Sequence, residues 1–363
     1  MHIYFIGQKG ISPKDTNDTN EARVEALSQE LLAHGHTVTV PCTGNYCAQS
    51  PMEMRGLRAV RIPSLNPNIA GGWLYIALSC LAVLFTKHVN TIHVHGWKGA
   101  LLVRPLLVFM PRLQAVWTIP TMPLQLEPLQ HSLLKRAVPF IASGFSRICT
   151  PSRTTQYQLL SWYNLKTQYI PDGYMPPSLP DVRPATFGLR KEQYGIVFST
   201  TQEELKAIVK AYKKLKTKKK LVVFADKAPA GAMAINLPLL SRGAISLIRQ
   251  AGFIVSTNPT YAASLLQAMD TGRNIFATTT PLHQELLGRA ATYFSIQDPQ
   301  TLQNALTEAT GAPRTYSTAT LRAQKLFTWE RIAQEYTRLY SPAEPVLVPF
   351  DSIIPRQGFK IAG

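Results

Sequence analysis

The chain has 363 residues, enough for two domains at about 150 residues each. Its 45% hydrophobic content excludes a wholly disordered chain, while charged residues, at 16%, fall below the roughly 25% of ordinary soluble domains. The net charge of +17 comes from 38 basic and 21 acidic residues, and eight of the lysines lie between Lys206 and Lys220, a window without an acid.

Ile3 to Ile6 is a short apolar run ending at Gly7, which predicts a strand and a turn. Glu21 to His34 reads as a helix with Val24, Leu27, Leu31 and Leu32 on one face, stopped by Gly35. Strands are expected at Thr37 to Val40, Leu57 to Ile62, Thr91 to Val94, Gln114 to Thr118 and Arg147 to Thr150. Helices are expected at Leu74 to Phe85, Lys98 to Met110 despite Pro105, Leu126 to Ile141 and Ser152 to Trp162. Ile69 to Phe85 is an uncharged run of 17 residues, short of the ~20 a membrane span needs, and reads as a buried helix of an α/β domain. This alternation implies a doubly wound parallel sheet.

Pro171 to Pro184 holds five prolines and reads as a linker. A second series follows, with strands at Ile196 to Phe198, Leu221 to Phe224, Ile254 to Val255 and Ile275 to Ala277. Its helices are expected at Glu203 to Leu215, Tyr261 to Asp270, Leu302 to Thr307 and Thr328 to Tyr340. The boundaries read as residues 1–175 for the first domain, 176–193 for the linker and 194–322 for the second domain. A helix at 323–340 then crosses back to the first domain, and 341–363 is an extended or disordered tail.

Cys42, Cys47, Cys80 and Cys149 are too few and too scattered for a disulfide framework, and a lone C-x4-C is no zinc pattern. A reduced, cytoplasmic setting fits, and MHIYFIGQKG has no apolar stretch of signal-peptide length. No metal is expected. G-x-S-x-G, H-E-x-x-H, GxGxxG and P-loop signatures are absent.

Several ordered stretches resemble one family. They are IGQKGIS (Ile6 to Ser12), EARVEALSQELLAHGHTVTV (Glu21 to Val40), IHVHG (Ile92 to Gly96), TPSR (Thr150 to Arg153) and IPDGY (Ile170 to Tyr174). LLQAMDTGRNIFAT (Leu265 to Thr278) and FTWERIAQEYTRLY (Phe327 to Tyr340) follow in the second half. The chain resembles the family-4 retaining glycosyltransferases of GT-B fold, and within them the rhamnosyl/galactosyl-type branch of bacterial envelope assembly. The resemblance implies an α/β GT-B fold: two Rossmann-like doubly wound domains facing across a cleft, the first on the acceptor side and the second on the donor side. It implies transfer of a sugar, with retention, from a nucleotide-sugar co-substrate to an envelope glycan or lipid-linked acceptor, without a resident cofactor.

The resemblance makes Gly10, Glu21, His95, Ser152 and Asp172 cleft candidates, and Thr260, Ala263, Ser264, Gln267 and Gly173 donor contacts. The family's Gly-Gly pair before the first helix is replaced by Asp18 and Thr19; Asp18 and Glu21 have capping-box spacing as a competing reading. Phe198 and Glu203 fall where the family keeps an Arg and a Lys against the donor diphosphate. Pro259 and Gln267 fall where it keeps two glutamates, and Thr118 to Pro120 where it keeps T-x-H. The free N–H groups of a helix starting at Thr260 to Ser264 remain able to hold a phosphate. His93 and His95 read equally as core histidines or ligand contacts, and the stretch Ala225 to Ser241 is shorter than the family pattern.

Three readings stay open. One is a glycosyltransferase-like protein with an altered donor site. Another is an inactive pseudo-glycosyltransferase partnering an active paralogue. The third is a basic protein peripheral to an anionic membrane through a Lys206 to Lys220 helix; nucleic acid is disfavoured because Tyr212, the aromatic in that run, points inward.

Overall fold

The computed structural model describes the chain except residues 12–18, 44, 45, 47–55, 64–69, 121–127, 175–180, 200, 216, 240, 259–261, 312–317 and 342–363. The expected tail therefore lies outside the described residues. Of the described residues, 1–11, 20–171 and 330–341 belong to one compact unit and 172–329 to the other.

Unit 1 is a parallel sheet of β1 (His2–Ile6), β2 (Thr37–Cys42), β3 (Leu57–Arg61), β4 (Thr91–His95), β5 (Gln114–Thr118), β6 (Arg147–Thr150) and β7 (Gln168–Tyr169). The order is β3-β2-β1-β4-β5-β6-β7, so the winding reverses between β1 and β4. Ile3 pairs with Thr91 and Ile6 with Val94 across that junction. The β1 and β4 side chains are all buried apart from that of His2, which is why these strands read as continuous apolar runs rather than as alternation.

The helices of this unit are α1 (Thr19–Ala33), α2 (Ala70–Leu84), α3 (Gly96–Phe109), α4 (Pro128–Ala142) and α5 (Arg153–Tyr163). The α2, α3 and α4 helices pack side by side on one sheet face over Ile92, Val94, Ala115 and Trp117. The uncharged helix α2 is not wholly buried, contrary to expectation. Tyr75, Ile76, Cys80 and Val83 face the core, while Trp73, Leu74, Leu81 and Leu84 are exposed. Among the described residues, no helix is long and apolar enough to cross a membrane.

Unit 2 contains β8 (Tyr194–Phe198), β9 (Lys220–Val223), β10 (Met233–Ala234), β11 (Phe253–Ser256), β12 (Asn274–Thr278) and β13 (Ala291–Phe294), all parallel, in the order β10-β9-β8-β11-β12-β13. The helices are α6 (Gln202–Tyr212), α7 (Arg242–Gln250), α8 (Ala262–Asp270), α9 (Pro281–Leu287), α10 (Pro299–Gly311) and α11 (Thr318–Leu326). The strands β10 and β13 and helices α7, α9 and α11 had no counterpart in the sequence reading. The abbreviated Ala225 to Ser241 stretch does hold a strand, of two residues.

The expected lysine-rich helix is corrected. It ends at Tyr212, with Leu205, Ile208, Val209 and Tyr212 buried, so among the described residues of the run only Lys206 and Lys210 are helical. Lys220 already begins β9, because Leu221, Val222 and Val223 are buried in the sheet. Residues Asp181 to Gln193 lie against unit 2: the Val182 amide donates to Ser246 Oγ, and Pro184–Phe187 forms a 3-10 turn.

The last helix, α12 (Trp329–Tyr340), belongs to unit 1 through Glu330 onward. It lies on the face of β4 opposite α2 and α3: Tyr336 and Tyr340 meet His93 and Thr118 there.

Candidate functional site

In open α/β sheets ligands bind at the carboxyl ends of the strands where the winding reverses. In unit 1 that place is where β1 ends in Gly7, Gln8 and Lys9, and β4 ends in His95 with α3 starting at Gly96. Gly7 has φ of +104°, and a Cβ there would collide with the His95 carbonyl, so the two strand ends touch backbone to backbone.

His93 and His95 are both buried on one face of β4, with ring centroids 4.4 Å apart. Their environments differ. His93 Nε2 lies 2.7 Å from Thr118 Oγ1 and its Nδ1 lies 2.6 Å from the Tyr340 hydroxyl, so His93 is a satisfied core histidine. Burial, with a smaller contribution from Arg23, pushes its pKa down to about 3. His95 stacks on Phe5 at 5.7 Å, and neither ring nitrogen has a hydrogen-bond partner among the described residues. Burial, then the neighbouring His93 and Arg23, holds it well below the usual imidazole range. It is a neutral ring with one donor and one acceptor to offer.

Gln8, which follows Gly7 at the end of β1, is 1% exposed, again with neither side-chain polar atom partnered among the described residues. Leaving such a group unpaired costs about 1–3 kcal/mol. Two at one topological junction mark a place built to meet polar groups of something else. Glu21, 5% exposed, accepts the Lys9 amide at 3.0 Å. Its carboxylate thus holds the loop that carries Gln8, while the capping-box reading rests on Asp18, which lies outside the described residues.

The other unit 1 candidates separate. Gly10 has φ of +142°, and a Cβ there would lie 2.8 Å from that of Tyr46, so it keeps the β1 loop close to β2. Ser152 caps α5 by accepting the Thr155 amide at 3.3 Å. Thr118, at the start of TIP, is buried and bonded to His93.

In unit 2 the winding reverses between β8 and β11. Ser199 Oγ donates to Glu204 Oε2 at 3.1 Å, and Thr257 Oγ1 donates to the same oxygen at 2.8 Å. A carboxylate therefore bridges the two strand ends. The sequence reading had singled out Glu203, but Glu203 is exposed, and it is Glu204 that turns to the strand ends. Phe198 is 2% exposed and packs toward Phe224, with ring centroids 6.4 Å apart, which makes it a core residue.

Alongside, Ser256 Oγ lies 3.0 Å from His283 Nε2 and 3.1 Å from the Asn258 carbonyl. His283 Nδ1 is 2.9 Å from the Thr278 carbonyl, which requires the proton on Nδ1 and leaves Nε2 as an acceptor. The single Ser256 proton then has two acceptors to serve. Burial lowers the His283 pKa, partly offset by the Thr278 carbonyl. Gln8, Thr257 and His283 were all missed by sequence reasoning, and Glu204 was read with Glu203 only as a first-turn acid of the helix, which it also is, since nothing in their local spacing announces a partner far along the chain.

Of the expected donor contacts, Ala263, Ser264 and Gln267 lie in α8, with Ser264 and Gln267 buried, while Thr260 is outside the described residues. Asp172 is half-buried at the start of the unit. Gly173 packs on Trp329: a Cβ there would lie 2.8 Å from the indole. A cavity of about 660 Å³ in unit 2 lies elsewhere, where α7 and α8 end, lined by Arg249, Asp270 and Arg273. Those charges are already paired, Arg249 with Asp270 at 3.1 Å and Arg273 with Glu192 at 3.1 Å. Among the described residues, no cluster of metal-ligating side chains occurs.

Residues 20–173 match the family model described as Glycosyl transferase 4-like domain. The curated protein sequences give no match. Among solved structures, sucrose-phosphate synthase from Thermosynechococcus elongatus is similar over 93% of this chain and 98% of its own, with TM-score 0.71 at 16% identity. Arabidopsis thaliana UGT89C1 complexed with UDP is similar over 94% and 100%, with TM-score 0.58 at 12% identity. UDP-GlcNAc 2-epimerase from Methanocaldococcus jannaschii is similar over 93% and 100%, with TM-score 0.61 at 12% identity. The fold is α/β GT-B, and residues 20–173, in its first unit, are similar to that family's domain.

Proposed function

We propose that this protein takes a sugar from a nucleotide-sugar donor and passes it to a hydroxyl acceptor, with unit 1 serving the acceptor and unit 2 the donor. The observation that carries the reading is the pair of unpartnered buried side chains, Gln8 and His95, at the winding reversal of the domain that matches the family model. A neutral imidazole and an amide together offer donors and acceptors, which suits sugar hydroxyls. Support from the relatives is of kind only: one is a sucrose-phosphate synthase and another was solved with UDP. A bacterial envelope glycan or lipid-linked acceptor, and retention of configuration, follow from the sequence resemblance.

The donor side is altered in this reading. Glu204, bridging Ser199 and Thr257, puts negative charge at the β8–β11 reversal, where a donor diphosphate would be repelled. The diphosphate is then left to the N-terminal turn of α8, which holds Ala263 and Ser264 and which Thr260 precedes, with Gln267 a turn further on for a sugar hydroxyl. Losing one preorganised charge-stabilising group costs about 10²–10³ in rate, so turnover is slow. The same Glu204 bridge favours a second reading, a catalytically inactive partner of an active paralogue.

The test is thermal unfolding against a panel of nucleotides and nucleotide sugars, paired with release of nucleoside diphosphate. A ligand at about 100 times its dissociation constant adds about 2.7 kcal/mol. A shift with one nucleotide sugar, enhanced in Glu204→Gln and kept in Gln8→Ala and His95→Ala, whose loss falls on transfer to the acceptor, supports donor recognition. Diphosphate release then supports the enzyme, and binding without release the inactive partner. No shift with any of them at millimolar concentration overturns the enzyme and favours the inactive partner.

A further inference from the structure

The cavity of about 660 Å³ in unit 2 lies apart from the groups assigned to sugar transfer. Of its lining, Lys191 precedes β8, Gln250 precedes β11 and Arg273 precedes β12, three strands that stand side by side. The cavity therefore opens at the amino ends of these strands, while Ser199, Thr257 and Thr278 mark their carboxyl ends.

Its charges are balanced. Arg273 Nη1 donates to the Ala251 carbonyl at 2.7 Å, so it meets the end of α7 as well as Glu192. Arg249 holds Asp270 at the end of α8. Both helices bring the negative ends of their dipoles here. The carboxylates and helix ends disfavour a free anion, and the guanidiniums disfavour a free cation. What remains for a ligand is of both hydrogen-bonding kinds. As donors, Lys191 has no partner among the described residues, and Arg249 Nε is buried without a hydrogen bond, 3.6 Å from Asp181 Oδ1. As acceptors, Asp181 takes no hydrogen bond among the described residues, and Gln250 spends its amide protons on the Val182 and Ser246 carbonyls, which leaves its oxygen. Leu321 of α11, 66% exposed, adds an apolar patch to the lining.

We infer that this cavity binds an uncharged oligosaccharide. Each sugar hydroxyl both donates and accepts, so a row of hydroxyls meets Lys191 and Arg249 as well as Asp181 and Gln250, and the C–H face of a ring covers Leu321. Balanced charges would also suit a zwitterion such as an amino acid. The volume, within the roughly 300–1,000 Å³ of ligand sites, is far more than an amino acid fills. The proposal is independent of sugar transfer, because binding is read without a nucleotide.

The experiment is isothermal titration calorimetry of the full chain with maltotetraose, cellotetraose and chitotetraose. Glucose 6-phosphate, spermidine and serine serve as anionic, cationic and zwitterionic comparisons, and the variants used are those whose thermal midpoints match wild type. Wild type is expected to bind at least one tetrasaccharide with millimolar or tighter affinity, and each charged probe at least tenfold more weakly. Asp181→Ala, Lys191→Ala and Leu321→Glu, all at exposed positions, are each expected to weaken that binding at least fivefold. Gln8→Ala and His95→Ala, in unit 1, are expected to bind within twofold of wild type. Absence of tetrasaccharide binding by wild type overturns the proposal, as does binding of a charged probe as tight as that of the sugar. It is also overturned if tetrasaccharide binding survives both Asp181→Ala and Lys191→Ala. Loss of binding in Gln8→Ala or His95→Ala overturns it too, because the sugar is then held at the acceptor site of unit 1.

Discussion

The hydroxyl of Tyr340, at the end of the last helix, lies 2.6 Å from Nδ1 of His93 in the middle of β4, 247 residues earlier. Burial raises the Tyr340 pKa well above its ordinary value, so its hydroxyl stays protonated and donates. His93 accepts on Nδ1 and offers its Nε2 proton to Thr118 Oγ1. Tyr340→Phe removes the donor and leaves a buried acceptor, so a loss of about 1–3 kcal/mol is expected in urea unfolding. A change below 0.5 kcal/mol would mean the bond adds nothing to unit 1.

The same histidine gives a pH dependence of known sign. Its folded pKa of about 3 lies below the ordinary 6.5, so the unfolded chain takes up a proton that the folded chain refuses. The contribution is complete above pH 6.5 and falls as the pH drops toward 3, by up to about 1.4 kcal/mol per pH unit for this one group. His93→Phe cannot titrate. Its stability deficit relative to wild type should therefore narrow between pH 7 and pH 5. A deficit constant across that range would contradict the assignment.

Gly7 and Gly35 both have positive φ, +104° and +79°, but only Gly7 is crowded. Alanine at Gly35 has open space and should cost about 1–2 kcal/mol for the left-handed backbone alone. Alanine at Gly7 also meets the His95 carbonyl and should cost about 3 kcal/mol or more. Paired thermal unfolding of the two variants checks the ranking, and equal midpoints would refute it.

Asp270 gathers three donors: the Tyr174 hydroxyl at 2.9 Å, Arg249 Nη1 at 3.1 Å and Gln324 Nε2 at 3.3 Å. Tyr174 also donates its amide to the Phe327 carbonyl, so this carboxylate steadies the segments by which the chain enters and leaves unit 2. Asp270→Asn turns one acceptor into a donor among donors, and a loss of about 1–3 kcal/mol is expected. Hydrogen exchange should show it as faster exchange in α8 and α11. Unchanged exchange there would show that the three bonds are dispensable.

The order of strands and helices was legible because apolar periodicity is local. Runs such as Ile3 to Ile6 and faces such as Val24, Leu27 and Leu31 are set by neighbours within a few residues. Helices α7 and α9 escaped notice because they are short, and β10 because two residues carry no period. The lysine run was over-read as helix because its apolar spacing persisted to Leu215, while the buried edge of β9 ended it at Tyr212.

The candidate site was only half legible. The sequence named His95 and Glu21, but His93 and His95 share a strand face and a chemistry, and spacing does not separate them. The structure separates them through Tyr340 and Thr118, which reach one ring and not the other. In the same way Glu21 is drawn to Lys9 and Glu204 to Thr257. Sequence alone determined two β/α series, a charge of +17 and a resemblance to one family. Tertiary structure decided which polar groups find partners and which apolar faces do not. Those partners lie tens to hundreds of residues away, and only packing brings them within hydrogen-bond reach.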